Sequence, residues 1–123
     1  MKWKPSFIIE GVVLPLPNDY KQSIEDLVSE QSGRLLNGQA IKDVVAVKTN
    51  IPMQWKHIEW SIASQLAKAI DGKNSLTCQI MDVRNPYTMT EINIYVGARN
   101  FTPTTFDTDG RVYWDIEFTE IEL

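Results

Sequence analysis

The sequence predicts an α+β fold, an antiparallel β-sandwich or sheet of about six strands with one packed α-helix. Several segments alternate apolar and polar residues, as half-buried strands do, and one segment has helical spacing. The order of these segments lacks the strand–helix alternation that a parallel sheet requires. With 123 residues the chain has the size of one domain, so we expect residues 1–123 to form a single domain around one core.

The first half of the chain contains three predicted strand regions. Phe7–Leu14 is rich in β-branched residues and stops at Pro15-Leu16-Pro17, which predicts a first strand followed by a turn. Residues 20–30 fit both a helical and an alternating pattern, and we favour a strand. Residues 39–55 alternate more clearly and predict a long strand. Pro52 must lie at an edge or a bulge of that strand because it lacks an N–H donor.

The second half contains the only predicted helix. Apolar residues recur at three- and four-residue intervals from Ile58 to Ile70, and Gly72 is expected to form a left-handed C-terminal cap. Arg99–Asp109 has no clear period and contains Pro103, so we expect a loop there. Three further strands are predicted from their alternating inward residues: Leu76, Cys78 and Ile80; Ile92, Ile94 and Val96; Val112, Trp114, Ile116 and Phe118.

The composition argues against several classes of protein. The net charge is −4 and the basic residues are dispersed, so we expect no specific nucleic-acid binding, which depends on clustered Lys and Arg. There is no long apolar run, and no signal peptide is recognisable, so we expect no membrane insertion. The single cysteine, Cys78, cannot form an intramolecular disulfide and fits synthesis in a reducing cytoplasm.

No residue pattern indicates catalysis, a cofactor or a metal. His57 and Cys78 are the only residues of their types, too few for a structural zinc site, and nothing predicts a nucleophilic pair. Asp107-Thr108-Asp109-Gly110 is similar to the start of a calcium loop, but Phe118 stands where the bidentate glutamate is required. We therefore predict a protein that is not an enzyme. An enzyme that uses a carboxylate in an apolar pocket is the least favoured alternative.

Candidate contact residues lie on the helix and in the predicted loop. Most tryptophans are expected in the core, but Trp60 lies off the apolar stripe of the helix, and exposed tryptophans are enriched at interfaces. The predicted loop adds further aromatic and threonine side chains. The predicted assembly residues are Trp60, Phe101, Thr104, Thr105 and Phe106.

Three stretches together resemble a known family. The first runs from Ser32-Gly33-Arg34 into Lys42-Asp43-Val44-Val45-Ala46-Val47-Lys48, the second is Tyr95-Val96-Gly97-Ala98-Arg99, and the third is Asp109-Gly110-Arg111-Val112-Tyr113-Trp114. Over residues 20–123 the chain resembles small proteins encoded in the tail modules of phages and prophages of Gram-positive bacteria. Their order of elements is similar to the tail-tube fold, a β-sandwich flanked by a helix, shared by tube proteins and the N-terminal domain of distal tail proteins.

The resemblance implies a structural role in the virion tail. It implies a ring of identical subunits, commonly six, stacked on the tail tube or the baseplate hub, in contact with tube, tape-measure or hub proteins. It implies no catalytic residues, and residues 1–19 match none of its motifs. The alternative is a module that binds a protein or a carbohydrate through Trp60 and the 99–109 loop, which would be a monomer or a dimer.

Overall fold

The structure is a computed structural model that describes residues 3–28, 33–34, 40–41 and 44–123. In these ranges the chain forms one α-helix, α1, and eleven β-strands. Their bounds are α1 Trp60–Ile70, β1 Phe7–Ile9, β2 Val12–Leu14, β3 Asp19–Tyr20, β4 Ser23–Val28, β5 Gly33–Arg34, β6 Ala40–Ile41, β7 Val44–Glu59, β8 Leu76–Met81, β9 Met89–Val96, β10 Asn100–Phe106 and β11 Val112–Glu122.

Nine of these strands form one antiparallel sheet in the order β2-β1-β8-β9-β11-β7-β3. Strand β10 pairs with β11 beside the end of β9, and β4 pairs with β7 beside β3, while β5 and β6 form a separate small hairpin. The α+β class with one helix is therefore confirmed. The expected number of about six strands is wrong, because short strands were merged or missed in the sequence. The described part of the chain forms an open sheet, and a sandwich is not seen in it.

The first predicted strand, Phe7–Leu14, is a hairpin of β1 and β2. Its two turn residues, Glu10 and Gly11, both have positive φ, 49° and 80°. Turns with two left-handed residues match the twist of paired strands and are the usual two-residue hairpin connections. We predicted one strand because apolar residues continue on both sides of Glu10 and Gly11, although these two residues interrupt the run.

The predicted loop at Arg99–Asp109 is also wrong, since Asn100–Phe106 forms strand β10. Its pairing with β11 shifts register between Pro103 and Thr105, which leaves Thr104 as the extra residue of a bulge. A bulge breaks the two-residue period, and a proline is tolerated because β10 is an edge strand. These two features explain why the alternation was not visible in the sequence.

Pro52 lies inside β7, which has strand partners on both sides. On one side Pro52 pairs with Thr119, and on the other its carbonyl accepts a hydrogen bond from the Lys21 N–H at 3.3 Å, between β3 and β4. In an antiparallel strand the nitrogen and carbonyl of one residue face the same neighbour. The nitrogen of Pro52 therefore faces the side on which the partner of β7 changes from β3 to β4. No ladder hydrogen bond is lost there, although Pro52 lies at neither the edge nor the bulge that we expected.

The core lies on the inner face of the sheet and is covered by α1. Thr49, Ile51, Met53 and Trp55 alternate inward along β7, as predicted, and the inward residues predicted on β8 and β9 are buried or packed on the core. The helix buries Ala63, Leu66 and Ile70 and contacts β2, β7 and β11. Burial of side chains as large as Leu66 and Ile70 contributes roughly 1.5–3 kcal/mol each.

The ends of α1 follow from local chemistry. The helix begins at Trp60, later than the periodicity suggests, because Ile58 still belongs to β7. The Glu59 carboxylate accepts the Ser61 N–H at 2.8 Å and so caps the first turn. Gly72 has a φ of 70°, which confirms the predicted left-handed residue after the helix.

The sheet curves around the core so that strands distant in its order come together. The rings of Phe7 in β1 and Tyr20 in β3 have centroids 5.6 Å apart, and the Tyr20 hydroxyl donates to the Met81 carbonyl at the end of β8. The Trp55 indole N–H also donates to the Pro15 carbonyl at 2.8 Å. These contacts join β3 and β7 to the part of the sheet that contains β1 and β8.

The strand favoured over the helix for residues 20–30 is confirmed by β3 and β4 as far as Val28. Residues 29–30, Ser32, Gln39, Lys42 and Asp43, which belong to the predicted strands or to the first motif, lie outside the described residues.

Candidate interaction surface

An apolar groove between α1 and the β10–β11 edge contains the exposed tryptophan. Trp60 is 53% exposed, and its ring lies 5.6 Å from that of Trp114 at an angle of 53°. Phe101 pairs with Ile116 and therefore faces the same side of the sheet as the helix. The groove has a volume of about 300 Å³. We call it the aromatic groove.

The helix wall of the aromatic groove is made of short side chains. Ala63, Ser64 and Ala67 line it, with Lys68 as a charged lining residue. Short side chains on this face leave room between the helix and the β10 edge. The groove therefore results from residue size on α1 as well as from the two tryptophans.

Two β-bulges lie in the strands beside this groove. Between Trp114 and Ile116 of β11, strand β7 has an extra residue, and β10 has its own bulge at Thr104. One oxygen, Asp115 Oδ1, accepts from the His57 N–H at 3.2 Å and from the Thr104 hydroxyl at 3.3 Å. A single carboxylate thus bridges the bulged residues of both neighbouring strands.

His57 lies in the β7 bulge, outside the helix start where the sequence placed it. Its φ of 61° is left-handed, which is uncommon for a residue with a side chain. Its imidazole stacks on the Tyr113 ring with centroids 4.0 Å apart and an angle of 4° between planes. His57 and Cys78 have different surroundings, since the thiol is buried in the core.

The five predicted assembly residues are only partly brought together. Trp60 and Phe101 meet in the aromatic groove. Phe106 is exposed at the end of β10, opposite Val112, while Thr104 forms the bulge and Thr105 pairs with Tyr113.

Trp114 is a groove residue that the sequence placed in the core. It is only half-buried, because β11 begins beyond the edge of the core. Its indole nitrogen is buried and has no hydrogen-bond partner in the described ranges. Alternation correctly predicted the face of the sheet for Trp114, but it contains no information about where along β11 the core ends.

A buried carboxyl group, Glu120, lies in the core away from this groove. Glu120 is 1% exposed, pairs with Ile51 and Val96 on the neighbouring strands, and receives no well-formed hydrogen bond from the described residues. Burial raises the pKa of Glu120 to about 7, and the nearby Cys78 thiol, a weak donor, acts in the opposite direction.

The groups around Glu120 are not activated for chemistry. Burial and the Glu120 charge both raise the pKa of the Cys78 thiol, and the same two causes, in that order, raise the pKa of the Tyr20 hydroxyl. A thiol needs a lowered pKa to act as a nucleophile near neutral pH. Cys78 is therefore an inert, buried thiol, as its strand pattern predicts.

A second, polar concavity of about 620 Å³ spans the outer face of β3, β7 and β11. Its lining includes Lys21, Gln54, Asn100 and Glu117, and the Asn100 amide donates to Glu117 at 3.5 Å. These groups could bind a polar ligand through hydrogen bonds. The aromatic groove is the stronger candidate because Trp60 is exposed there beside Trp114 and Phe101, and aromatic residues are enriched among those that dominate contacts.

Within the described ranges, no group of three or more His, Cys, Asp or Glu side chains could hold a metal ion. The helix found there is too short and too polar to cross a membrane. Comparisons with protein-family models, with curated proteins and with solved structures found no match. The fold and the groove therefore define the chain as a mostly β, α+β protein with a candidate interaction surface.

Proposed function

We propose that this chain is a structural component of a phage or prophage tail or baseplate, where copies of it form a ring on the tail tube or hub. The observation that carries the proposal is the exposed aromatic groove at the β10 edge of the sheet. A protein that closes into a ring presents two complementary surfaces on each copy, and aromatic residues are enriched among the residues that dominate such contacts. The tail setting comes from the resemblance in the motifs of residues 32–48, 95–99 and 109–114.

The groove, more than the bare strand edge, suits this role. Strand β10 exposes one edge, but Pro103 cannot donate a hydrogen bond and the bulge at Thr104 twists the edge away. Both features protect edges against unspecific strand pairing. Recognition would then rest on side chains in the groove, with Phe106 extending the apolar surface at the end of β10.

A second apolar surface lies on the ribbon formed by Ser23–Val28 and Val44–Thr49. Among the described residues, β7 pairs in this ribbon with β4 only, since its last pairing with β11 is at Asn50. Ile24 and Val47 are exposed on one face of the ribbon. A two-stranded ribbon is marginally stable alone in water, so contact with a neighbouring subunit would stabilise it.

The proposal predicts annular particles. Purified protein at high concentration should give ring-shaped particles with rotational symmetry in negative-stain electron micrographs. Trp60→Ser, at an exposed position, should leave the circular dichroism spectrum unchanged and abolish the rings. Tyr95→Ser, an exposed tyrosine of β9 away from the groove, is the matched control and should retain them.

Rings that form equally well with Trp60→Ser would remove the groove from the interface. A parent protein without rings at any concentration would contradict the proposal itself.

The second candidate function is a binding module for a protein or carbohydrate. The same groove favours it, because a pocket lined by tryptophan and phenylalanine, with the Ser64 hydroxyl beside them, is typical of ligand sites. A chain that stays monomeric, and whose tryptophan fluorescence changes with an oligosaccharide or peptide but not in Trp60→Ser, would favour this function.

A further inference from the structure

The turn between β8 and β9, residues Asp82–Thr88, presents apolar side chains to solvent. Val83 is 76% exposed and Tyr87 is 80% exposed. The Trp3 ring approaches the Tyr87 ring edge-on, with centroids 6.2 Å apart. We call this convex apolar feature the Tyr87 turn.

The first part of the Tyr87 turn, residues 82–84, is ordered by hydrogen bonds. The buried Asp82 carboxylate accepts two hydrogen bonds from the Arg84 guanidinium, both at 2.9 Å, and one from the Gln22 amide at 3.2 Å. Gln22 in turn accepts the Val83 N–H at 2.9 Å. A surface that is ordered before binding loses less conformational entropy on association.

Tyr87 has a strained backbone. Its φ of 54° is left-handed, a region that large side chains rarely occupy. Strain of this kind costs about 1–3 kcal/mol and persists only where the surrounding structure holds it. Here it positions an exposed aromatic ring two residues before the start of β9.

We propose that the Tyr87 turn of one copy docks in the aromatic groove of a second copy. This inference rests on the self-assembly proposed above and names its two surfaces. At about 300 Å³ the groove is at the lower limit of ligand pockets, which suits a ring side chain and little more. Trp60 and Phe101 supply faces for an incoming tyrosine ring, and the Lys68 ammonium supplies a cation for its π face.

The positions of the two surfaces fit a ring contact. The strands β10, β11, β7 and β3 are neighbours in this order, so β10 and β3 lie at its two ends. Gln22, between β3 and β4, forms hydrogen bonds with the Tyr87 turn, which therefore lies at the β3 end. The aromatic groove lies at the opposite edge, beside β10. A contact between different surfaces on opposite edges is heterologous, and repetition of such a contact gives a ring when the rotation between copies closes and a filament when it does not.

The test is complementation between two variants that each lose one surface. Trp60→Ser removes the main ring of the groove and keeps the turn. Tyr87→Asn removes the ring from the turn, and asparagine tolerates the left-handed backbone. Tyr95→Ser is the control that leaves both surfaces intact. Masses are measured by native mass spectrometry and light scattering for each protein and for equimolar mixtures.

We expect each single variant to associate at least about tenfold more weakly than the parent, because both changes remove central aromatic residues. The mixture of Trp60→Ser and Tyr87→Asn has one intact turn and one intact groove, so it should form a dimer of twice the 14.1 kDa chain mass and nothing larger.

An oligomeric parent whose Tyr87→Asn variant assembles unchanged would overturn the docking of the turn and leave the proposed self-assembly standing. Variants that lose assembly but give no dimer on mixing would also overturn the docking. A parent that is monomeric throughout the accessible concentrations would overturn the proposed function as well.

Discussion

At the residue scale, Glu120 occupies an inward position of β11 where alternation predicts an apolar side chain. When the acids of this strand are considered together they look like a solvated face, but they do not all lie on one face. Glu117 is on the outward face and is exposed, whereas Glu120 continues the inward series of Ile116 and Phe118 and is buried. The spacing therefore places Glu120 inward, but its charge hides this in a reading by residue type.

Glu120 makes the stability of the fold depend on pH. Its pKa is raised to about 7 in the fold, against an ordinary value of 4.5. The folded state therefore holds a proton that the unfolded state releases between these values. The free energy of unfolding is highest below about pH 4.5 on this account and falls as the pH rises to about 7. One pKa unit corresponds to about 1.4 kcal/mol, which gives a loss on the order of 3 kcal/mol.

Glu120→Gln should remove this dependence. We expect the variant to be more stable than the parent at pH 8, by up to about 3 kcal/mol, and close to the parent at pH 4.5. Urea denaturation at several pH values measures the difference. Glu117→Gln, an exposed acid three residues earlier, is the control and should follow the parent. A parent and a Glu120→Gln variant with parallel pH profiles would contradict the protonated state.

Asp115 shows a second limit of sequence reasoning at this scale. Its position in β11 predicts an outward acid, and nothing in the sequence indicates that its carboxylate bridges bulges in two other strands. By contrast, the exposure of Trp60 was predictable, because its position relative to the helical stripe depends on local spacing alone.

At the scale of elements, local chemistry predicted the elements with regular spacing and missed those with irregular backbone. Helix α1 and strands β8, β9 and β11 have clear periods and were predicted. The β1–β2 turn and β10 were missed, because a left-handed turn and a bulge each shift the period by one residue. The same bulge hid that Phe101 belongs to a strand facing α1.

The Tyr87 turn provides a prediction at this scale. Asp82→Ala removes a buried carboxylate that orders the turn and joins it to Gln22, and charged hydrogen bonds contribute roughly 1.5–3 kcal/mol each. We expect the free energy of unfolding to fall by about 2 kcal/mol or more in chemical denaturation. Asp109→Ala, whose ion pair with Arg111 is long and exposed at 3.7 Å, should change it by less than about 0.5 kcal/mol.

The Asp82 carboxylate also has a pH dependence of opposite sign to that of Glu120. Its hydrogen bonds with Arg84 hold the pKa of Asp82 at about 2, below the ordinary 3.8. The stabilisation is therefore present above about pH 3.8 and is lost as the pH falls towards 2. An Asp82→Ala variant as stable as the parent at pH 7 would show that the turn is not held by this carboxylate.

At the scale of the whole molecule, alternation and a single helix predicted the α+β class and the antiparallel sheet. The sequence could not show which strands are neighbours, because β11 pairs with β7, β9 and β10, and these partners are dispersed along the chain. That pairing places the aromatic groove and the Tyr87 turn at opposite edges of the β10–β11–β7–β3 layer. Two surfaces so arranged are the basis of the proposed assembly of identical copies.

The most direct test of self-assembly is the mass of the purified parent protein in solution, measured by light scattering over a wide range of concentration. We expect the mass to rise with concentration and to level off at a fixed multiple of 14.1 kDa, as a closed ring requires. A mass that stays at 14.1 kDa at every concentration would contradict the account and favour the monomeric binding module.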